Sequence, residues 1–424
     1  MRMPVDFVHA TSERTLVMPV RLDQVPPVAQ RPGRPRVWLW IGALVLLVMA
    51  GLVAQALLIP AAEEGRPIIL GPAVSLSAMI WAAVAGLRAM IFAGQQRSAD
   101  GWDEVRDEDL AQRISCGRRS LDVLGASLHT ALRAPDSDTH PLLDLMLGDE
   151  PAVKSQVTRL GGVARHSRLP GDVAEAPEDL LDGALRRVLG DLAPALAQFP
   201  QDSPIALLLT VETSVPEETL QDIWKQAWQQ SGIRHAPVPV AETGMVAVDQ
   251  WLDQRAADQS PLMVIALQIA PSNADATAEA AVGLLLANPT NHSGVTTLAC
   301  LHRPEREREQ DDTSLIRAMR QALDWVPLQP EQVGQVWRAG VDGARNATIA
   351  AQIPAALPTA DVKPELIDLD ALLGHAGPAA PWLAIAAAAL NLQHEAKPQF
   401  VLSGEGSGET ALWGMVLTPV PARP

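Results

Sequence analysis

The chain has 424 residues, with 33 Lys and Arg against 49 Asp and Glu, and a formal net charge of −16. Beyond residue 93 the balance is 25 basic against 44 acidic residues, a net of −19. That excludes a nucleic-acid binder, which needs basic surface to replace counterions, and gives no average attraction to anionic lipid outside the N-terminal arm.

Residues 1–36 are rich in Pro and Arg and lack periodicity, the composition of a disordered basic arm. Val37 to Pro60 follows without a single charge, and Ile68 to Gly94 carries one, Arg88. About 20 apolar helical residues cross a bilayer. Residues 37–94 therefore predict a transmembrane helical hairpin turning at Ala61–Pro67, with the lipid bilayer as its partner. The first run is longer than the roughly 7–15 apolar residues of a cleavable signal. The alternative is a signal anchor formed by the first run alone, with the second as a buried core helix. Arg2, Arg14, Arg21, Arg31, Arg34 and Arg36 precede the first span, whereas the turn carries Glu63, Glu64 and one cation, Arg66. Cationic flanks stay cytoplasmic, so the arm is expected inside, the turn outside and the remainder inside. The protein would then be multi-pass in the inner membrane. Trp38 and Trp40 suit an interfacial belt. Arg88 either snorkels to cytoplasmic headgroups or has a role within the membrane.

Residues 95–176 are expected to be a linker and loop-rich region: 95–120, dense in both signs, a solvated helix or linker leaving the membrane, and Arg133–Ala176, with Pro, Asp and Gly, loops. From 177 to 424 the pattern sharpens. PEDLLDGALRRVLGDLAPALAQF spaces its apolar residues as an amphipathic helix, and PIALLLTVET is an apolar run of strand length. PEETLQDIWKQAWQQSG and Met245–Arg255 are helical. PLMVIALQIA, AEAAVGLLLANP and VTTLACLH are further strands. Then come the helix TSLIRAMRQALDW, the strand VGQVWRAG, a helix near Ala344–Gln352, the helix PAAPWLAIAAAALNL and the strands QFVLSGEG and ALWGMVLTPV. Continuous apolar strands alternating with helices mean an α/β fold with helices on both sheet faces.

Three stretches carry a resemblance to the thiolase-like fold of β-ketoacyl synthases. They are PLMVIALQIA leading to AEAAVGLLLANP, the segment LQPEQVGQVWRAGVDGARNATIAAQ, and LLGHAGPAAPWLAIAAAALNL followed by QFVLSGEGSGETALWGMVL. The resemblance implies a Cys nucleophile at the start of a buried helix and two His residues. The matching helix starts at Glu242–Met245 with no Cys, and the first His position falls in Trp337–Gly340 with no His. Only His375, in Gly374-His375, matches. A thiolate is the reacting species in such chemistry, so the expectation is a chain that is not an enzyme. His375 is expected to cap a helix or bond a backbone carbonyl.

The two cysteines, Cys116 and Cys300, are too few for a disulfide framework and are expected to be inert. Gly404-x-Gly406-x-Gly408 follows a strand but leads into another strand, so a hairpin turn is favoured over a phosphate loop. PEREREQDD (304–312) suggests a solvated loop or a helix start. His292 and His302 lack companions at ligand spacing. No catalytic, cofactor-binding or metal-binding residue is assigned, and no cofactor is expected. The pattern Asp368-Leu369-Asp370 followed by Gly374 to Ala389 also resembles the C-terminal domain of adaptor proteins for type VI secretion lipases. The function this implies is a membrane-anchored adaptor or binding protein with a protein partner, presenting an effector for type VI secretion. The alternative is an acyl-transfer or lipid-processing membrane enzyme using His375. Oligomeric state is left open.

Overall fold

A computed structural model describes residues 22, 25–34, 36–58, 71–133, 139–148, 150–201, 203–256, 258–289, 295–357, 365–406 and 411–420. The turn Ala61–Pro67, most of the arm, His292 and Gly408 lie outside the described residues. The chain divides into two compact units, Met1–Ile114 and Ser115–Pro424.

The first unit is helical. Helix α1 (Val37–Leu58) and helix α2 (Gly71–Gly117) both contain stretches long and apolar enough to cross a membrane. Apolar side chains such as Trp38, Leu46, Met79 and Met90 are exposed along them, as spans facing lipid require. The Trp81 indole N–H donates to the Trp40 carbonyl at 2.8 Å. Helix α2 does not stop where its apolar run ends. At 47 residues it is about 70 Å long, and its charged second half continues as helix, one of the two forms expected for residues 95–120. Part of the arm expected to be disordered is ordered against it. Ala29 N donates to Asp103 Oδ1 at 2.8 Å, Arg106 Nε donates to the Pro26 carbonyl at 2.8 Å, and Arg31 pairs with Asp100 and Asp103 at 3.2 Å.

The second unit is the α/β body. Strand β1 (Ser120–His129), helix α3 (Thr139–Leu147) and the hairpin β2 (Lys154–Val157) and β3 (Val163–His166) come first. Then follow α4 (Pro177–Leu196), β4 (Ile205–Thr213), α5 (Glu217–Gln230), β5 (Pro237–Pro239), α6 (Gly244–Gln254), β6 (Leu262–Ile269) and β7 (Ala280–Ala287). The rest are β8 (Ala299–His302), β9 (Glu305–Arg306), α7 (Asp312–Trp325), β10 (Gln335–Ala339), α8 (Gly343–Ala356), β11 (Glu365–Asp368), α9 (Leu369–Leu373), α10 (Ala380–Asn391), β12 (Gln399–Ser403) and β13 (Trp413–Thr418).

Among the described residues the main sheet runs β11-β10-β12-β13-β8-β1-β7-β6-β4-β5, with β9 on β13. This order contains a duplication. Strands β1, β4, β5, β6 and β7 occupy the same places in one half as β8, β10, β11, β12 and β13 in the other. The halves meet where β1 pairs antiparallel with β8. Within each half the third, second and fourth strands are parallel and the fifth is antiparallel.

Residue patterns explain the layers. Helix α4 opens with Pro177, Glu178 and Asp179, which suit a first turn. It buries Leu181, Leu185, Val188 and Leu192 against β4, β6 and β7 in one core. Helix α7 is capped by Asp311, whose carboxylate accepts from Ser314 N. With α8 it covers β10, β12 and β13 in a second core. Helix α10 is different: Ala380 to Ala389 are buried all round, and it packs against β10 and β12 of one half and β1 and β7 of the other. A helix apolar on every side belongs in the interior, and its alanines let both halves approach.

Two expectations need correction. The stretch 95–176 holds β1, a central strand paired with both β7 and β8. The charge run 304–312 is not a solvated loop at its start: Glu305 and Glu307 are buried, and so is Arg303 just before it. Arg303 pairs with Asp249 and Asp253 of α6, the Trp325 indole donates to Glu305 Oε1 at 2.7 Å, and Arg345 clamps Glu307. A buried charge persists only when paired in this way.

Candidate functional site

Strand ends from both halves converge on one loop, Gly374–Ala379. Its shape is dictated by contacts that only glycine permits. Gly374 and Gly377 have φ of +92° and +52°, a region costly for other residues. A Cβ on Gly377 would also lie 2.5 Å from Glu212 Oε2 and collide with Gln268 Oε1. Glu212 and Gln268 are the penultimate residues of β4 and β6, so the glycine lets two polar side chains reach the loop. Gln268 Nε2 donates to the carbonyls of His375 at 2.7 Å and Ala278 at 2.9 Å.

His375 stands at the centre. Its backbone N–H donates to the Ala276 carbonyl at 2.9 Å, which fixes the loop. Its side chain departs from the expectation that it caps a helix or bonds a backbone carbonyl. Instead Nδ1 faces Asp370 Oδ1 at 3.6 Å, an ion-pair distance. Asp370 is held in turn by Gly340 N at 3.0 Å and Val341 N at 2.9 Å, just past the end of β10. The Asp370 carboxylate raises the His375 pKa; burial opposes this, and Glu212 and Asp342 add to the rise. Burial pushes Glu212 up, and His375 opposes that. The result is an imidazole with a fixed carboxylate on one nitrogen and a second carboxylate close enough for the charges to interact.

The helix start that the resemblance matches to a nucleophile lies at α6. Met245 occupies the first turn and is fully buried. Glu405, from the loop after β12, accepts from Met245 N at 3.3 Å, so a carboxylate already sits at this helix N-terminus, where the dipole favours it. The first-His segment is structural: the Trp337 indole donates to Gln399 Oε1 at 2.6 Å, and Arg338 pairs with Asp368. Among the described residues no nucleophilic side chain is recorded in contact with His375.

The other sequence candidates lie elsewhere. Cys300 is in β8, its thiol directed at Asp122, and burial first, then Asp122, pushes its pKa up to about 12. Cys116 lies at the end of α2. Burial pulls His302 down to about 4, so it is neutral, with Nε2 against Thr418 Oγ1 at 3.0 Å. Among the described residues no group of three His, Cys, Asp or Glu side chains could hold a metal ion. Gly404 and Gly406 make close backbone approaches to Gly340 and Gly377 rather than opening a helix. Ser127, His129 and Asp191 meet on β1 and α4, but Ser127 Oγ and His129 Nε2 both contact Asp191 Oδ2, at 2.7 and 3.0 Å. The serine is therefore not activated by the histidine.

Glu212 and Gln268 are not among the residues singled out from sequence, and Asp370 enters there only within the adaptor-like pattern, with no role at a site. The first two had a legible signal, as polar residues near the ends of apolar strands. Asp370 had none, since its role depends on where β10 ends.

No family model matches the chain, and no curated protein matches it. Solved structures do. The ishigamide ketosynthase/chain length factor is 13% identical with a TM-score of 0.51, covering 71% of this chain and 99% of that one. The oxazolomycin ketosynthase domain OzmH KS7 of Streptomyces albus JA3453 is 10% identical with a TM-score of 0.51, covering 72% and 75%. The PfaC keto synthase–chain length factor is 12% identical with a TM-score of 0.50, covering 71% and 43%. The expectation that the chain is not an enzyme is overturned by these structures: they are ketosynthases, and the body has their enzymatic fold. At such identities the likeness concerns the fold, and the body that follows the two apolar helices has the thiolase-like fold of ketosynthases.

Proposed function

We propose that this chain is a membrane-anchored, acyl- or lipid-processing protein in which His375 moves a proton to or from a carbonyl-bearing substrate. The observation that carries the proposal is the Asp370–His375 pair at the converging strand ends, with Glu212 opposite. A carboxylate that orients an imidazole and raises its pKa is the arrangement general acid–base chemistry uses. The raised value keeps more of the imidazole protonated near neutral pH, ready to donate to a developing oxyanion. Condensation through a covalent thioester would need a thiolate, and the start of α6, where the resemblance would put it, has no Cys. The spans in residues 37–94 would hold the body at the inner membrane, on the cytoplasmic side by the arginine bias.

The test uses the detergent-solubilised chain with acyl-coenzyme A thioesters and with phospholipid, following free thiol and lipid masses. His375→Ala should lower turnover about 100-fold or more. Equal turnover by the wild type and the variant, or none by the wild type, would sink the proposal.

A second reading is that the body holds a protein partner, such as an effector for type VI secretion. The Glu405 carboxylate, which accepts from Met245 N at the start of α6, supports it, because an anion already occupies that helix N-terminus. Co-purification with mass spectrometry of the bound proteins separates the two: a stoichiometric partner unaffected by His375→Ala supports the second.

A further inference from the structure

We propose that the β2–β3 hairpin is a membrane-contacting finger that lays its tip on an anionic bilayer surface. The inference rests on the anchored reading above. It corrects the argument from average charge, because the finger is a local exception to an acidic body.

Pairing fixes which side chains share a face. Val157 lies opposite Val163, and Ser155 opposite Arg165. These four point to one side, since alternate residues of a strand do. Val163 is 73% exposed, Val157 50%, and Leu160 at the turn 51%. Three aliphatic side chains thus stand together in water at the end of a two-stranded ribbon.

The tip is held in this exposed form. Thr158 N donates to the Gly162 carbonyl at 3.1 Å and Thr158 Oγ1 to the Gly161 carbonyl at 2.6 Å. Gly161 and Gly162, with φ of +89° and +87°, take the turn. Arg159, beside Leu160, is locked by a buried pair with Glu279 at 2.9 Å and by the Leu169 carbonyl at 3.0 Å. Leu160 cannot turn inward without breaking that clamp.

Charge identifies the occupant. From Pro151 to Gly171 the chain has Lys154, Arg159, Arg165 and Arg168 and no acidic residue. Arg159 is used by the clamp. Lys154 and Arg165 are exposed; Arg165 shares the face of Val157 and Val163, and Lys154 lies on the opposite face of the same ribbon. Exposed aliphatic side chains at the tip, with a cation beside them and another on the reverse of the ribbon, match the boundary of anionic headgroups and acyl chains. The anchor would make the contact intramolecular, so a weak patch suffices.

The experiment uses the full chain in nanodiscs, with Cys116→Ser as background. One sample carries Leu160→Cys and another Asp222→Cys, a highly exposed position on α5, each labelled with an environment-sensitive fluorophore. The discs are phosphatidylcholine alone or mixed with phosphatidylglycerol, with a nitroxide-bearing lipid as quencher. The label at 160 should shift to the blue and lose most of its intensity to the quencher in the anionic discs. The label at 222 should do neither. Lys154→Glu with Arg165→Glu should restore a water-like signal at 160. A chain that enters the discs but whose 160 label stays as water-like as the 222 label overturns the finger alone. A blue shift without lipid quenching means a protein or a second copy covers the tip, and also overturns it. A chain that never enters the discs overturns the anchor, and the finger with it.

Discussion

Buried ionisable side chains in this body titrate in ways that separate structural from functional groups. Burial pushes Glu305 up to about 7 and Asp249 up to about 6, with Arg303 opposing both shifts. A carboxylate whose folded pKa is raised binds its proton more tightly in the native state. The native state is therefore destabilised progressively as pH rises from about 4, the ordinary carboxylate value, to the raised one. Glu305→Gln keeps an acceptor for the Trp325 indole and removes the titration. Thermal melts of this variant should fall less between about pH 4 and 7 than those of the wild type; parallel curves would show that Glu305 does not titrate there. His375 has the opposite charge type. With its folded pKa raised by Asp370, its contribution is fully present below about 6.5 and is lost as pH rises through the raised value. His375→Asn should lack that decline, and an NMR titration of the imidazole in the wild type should give a midpoint above the free value. Cys300, buried and pushed up to about 12, should resist thiol reagents at neutral pH until the protein unfolds, while Cys116 is half-buried. Labelling of Cys300 at the rate of a free thiol would contradict its burial.

At the level of elements, legibility followed how each strand is buried. Strands β6 and β7 are buried along their whole length and appear as unbroken apolar runs, so they were found. Strand β1 was missed although it is central, because Asp122, Gly125, Ser127 and His129 interrupt its pattern. Each interruption has a local reason: Asp122 accepts from the Cys300 thiol, Ser127 and His129 share Asp191, and Gly125 leaves room for Leu192 and Ala195 of α4. Asp249 could have been noticed. It falls on the apolar face of α6 with Met245, Val248 and Leu252, where an unpaired carboxylate would be costly. Glycine makes a similar packing demand on β7. A Cβ on Gly283 would lie 2.5 Å from Val188 Cγ1 and 2.9 Å from Leu192 Cδ1. Gly283→Ala should thus overpack the α4 contact and cost about 1–3 kcal/mol, read as a lower denaturation midpoint. An unchanged midpoint would mean that α4 shifts freely on the sheet.

Across the whole molecule, the duplicated strand order escaped sequence inspection because the two halves share topology without a recognisable repeat of residues. The two long apolar helices were legible for the opposite reason, since the length and apolarity that a bilayer would demand are read directly from the sequence. Helices α1 and α2 meet both demands. Orientation depends on charge near their ends. The arm brings Arg31, Arg34 and Arg36 to the start of the first span, and Arg97, Arg106 and Arg113 follow the second, whereas the turn has Arg66 alone among cations. Both outer flanks are therefore richer in arginine than the turn, which favours keeping both on the cytoplasmic side. The acidic residues among them count little, because orientation follows Lys and Arg rather than net charge. A fluorescent reporter fused after Pro424 should consequently be active, and alkaline phosphatase at the same point should be silent. Moving the phosphatase into the 61–67 turn should switch it on. Strong phosphatase activity from the Pro424 fusion, with the protein intact, would mean that only one of the two helices crosses, and the body would have to be placed on the other side of the membrane.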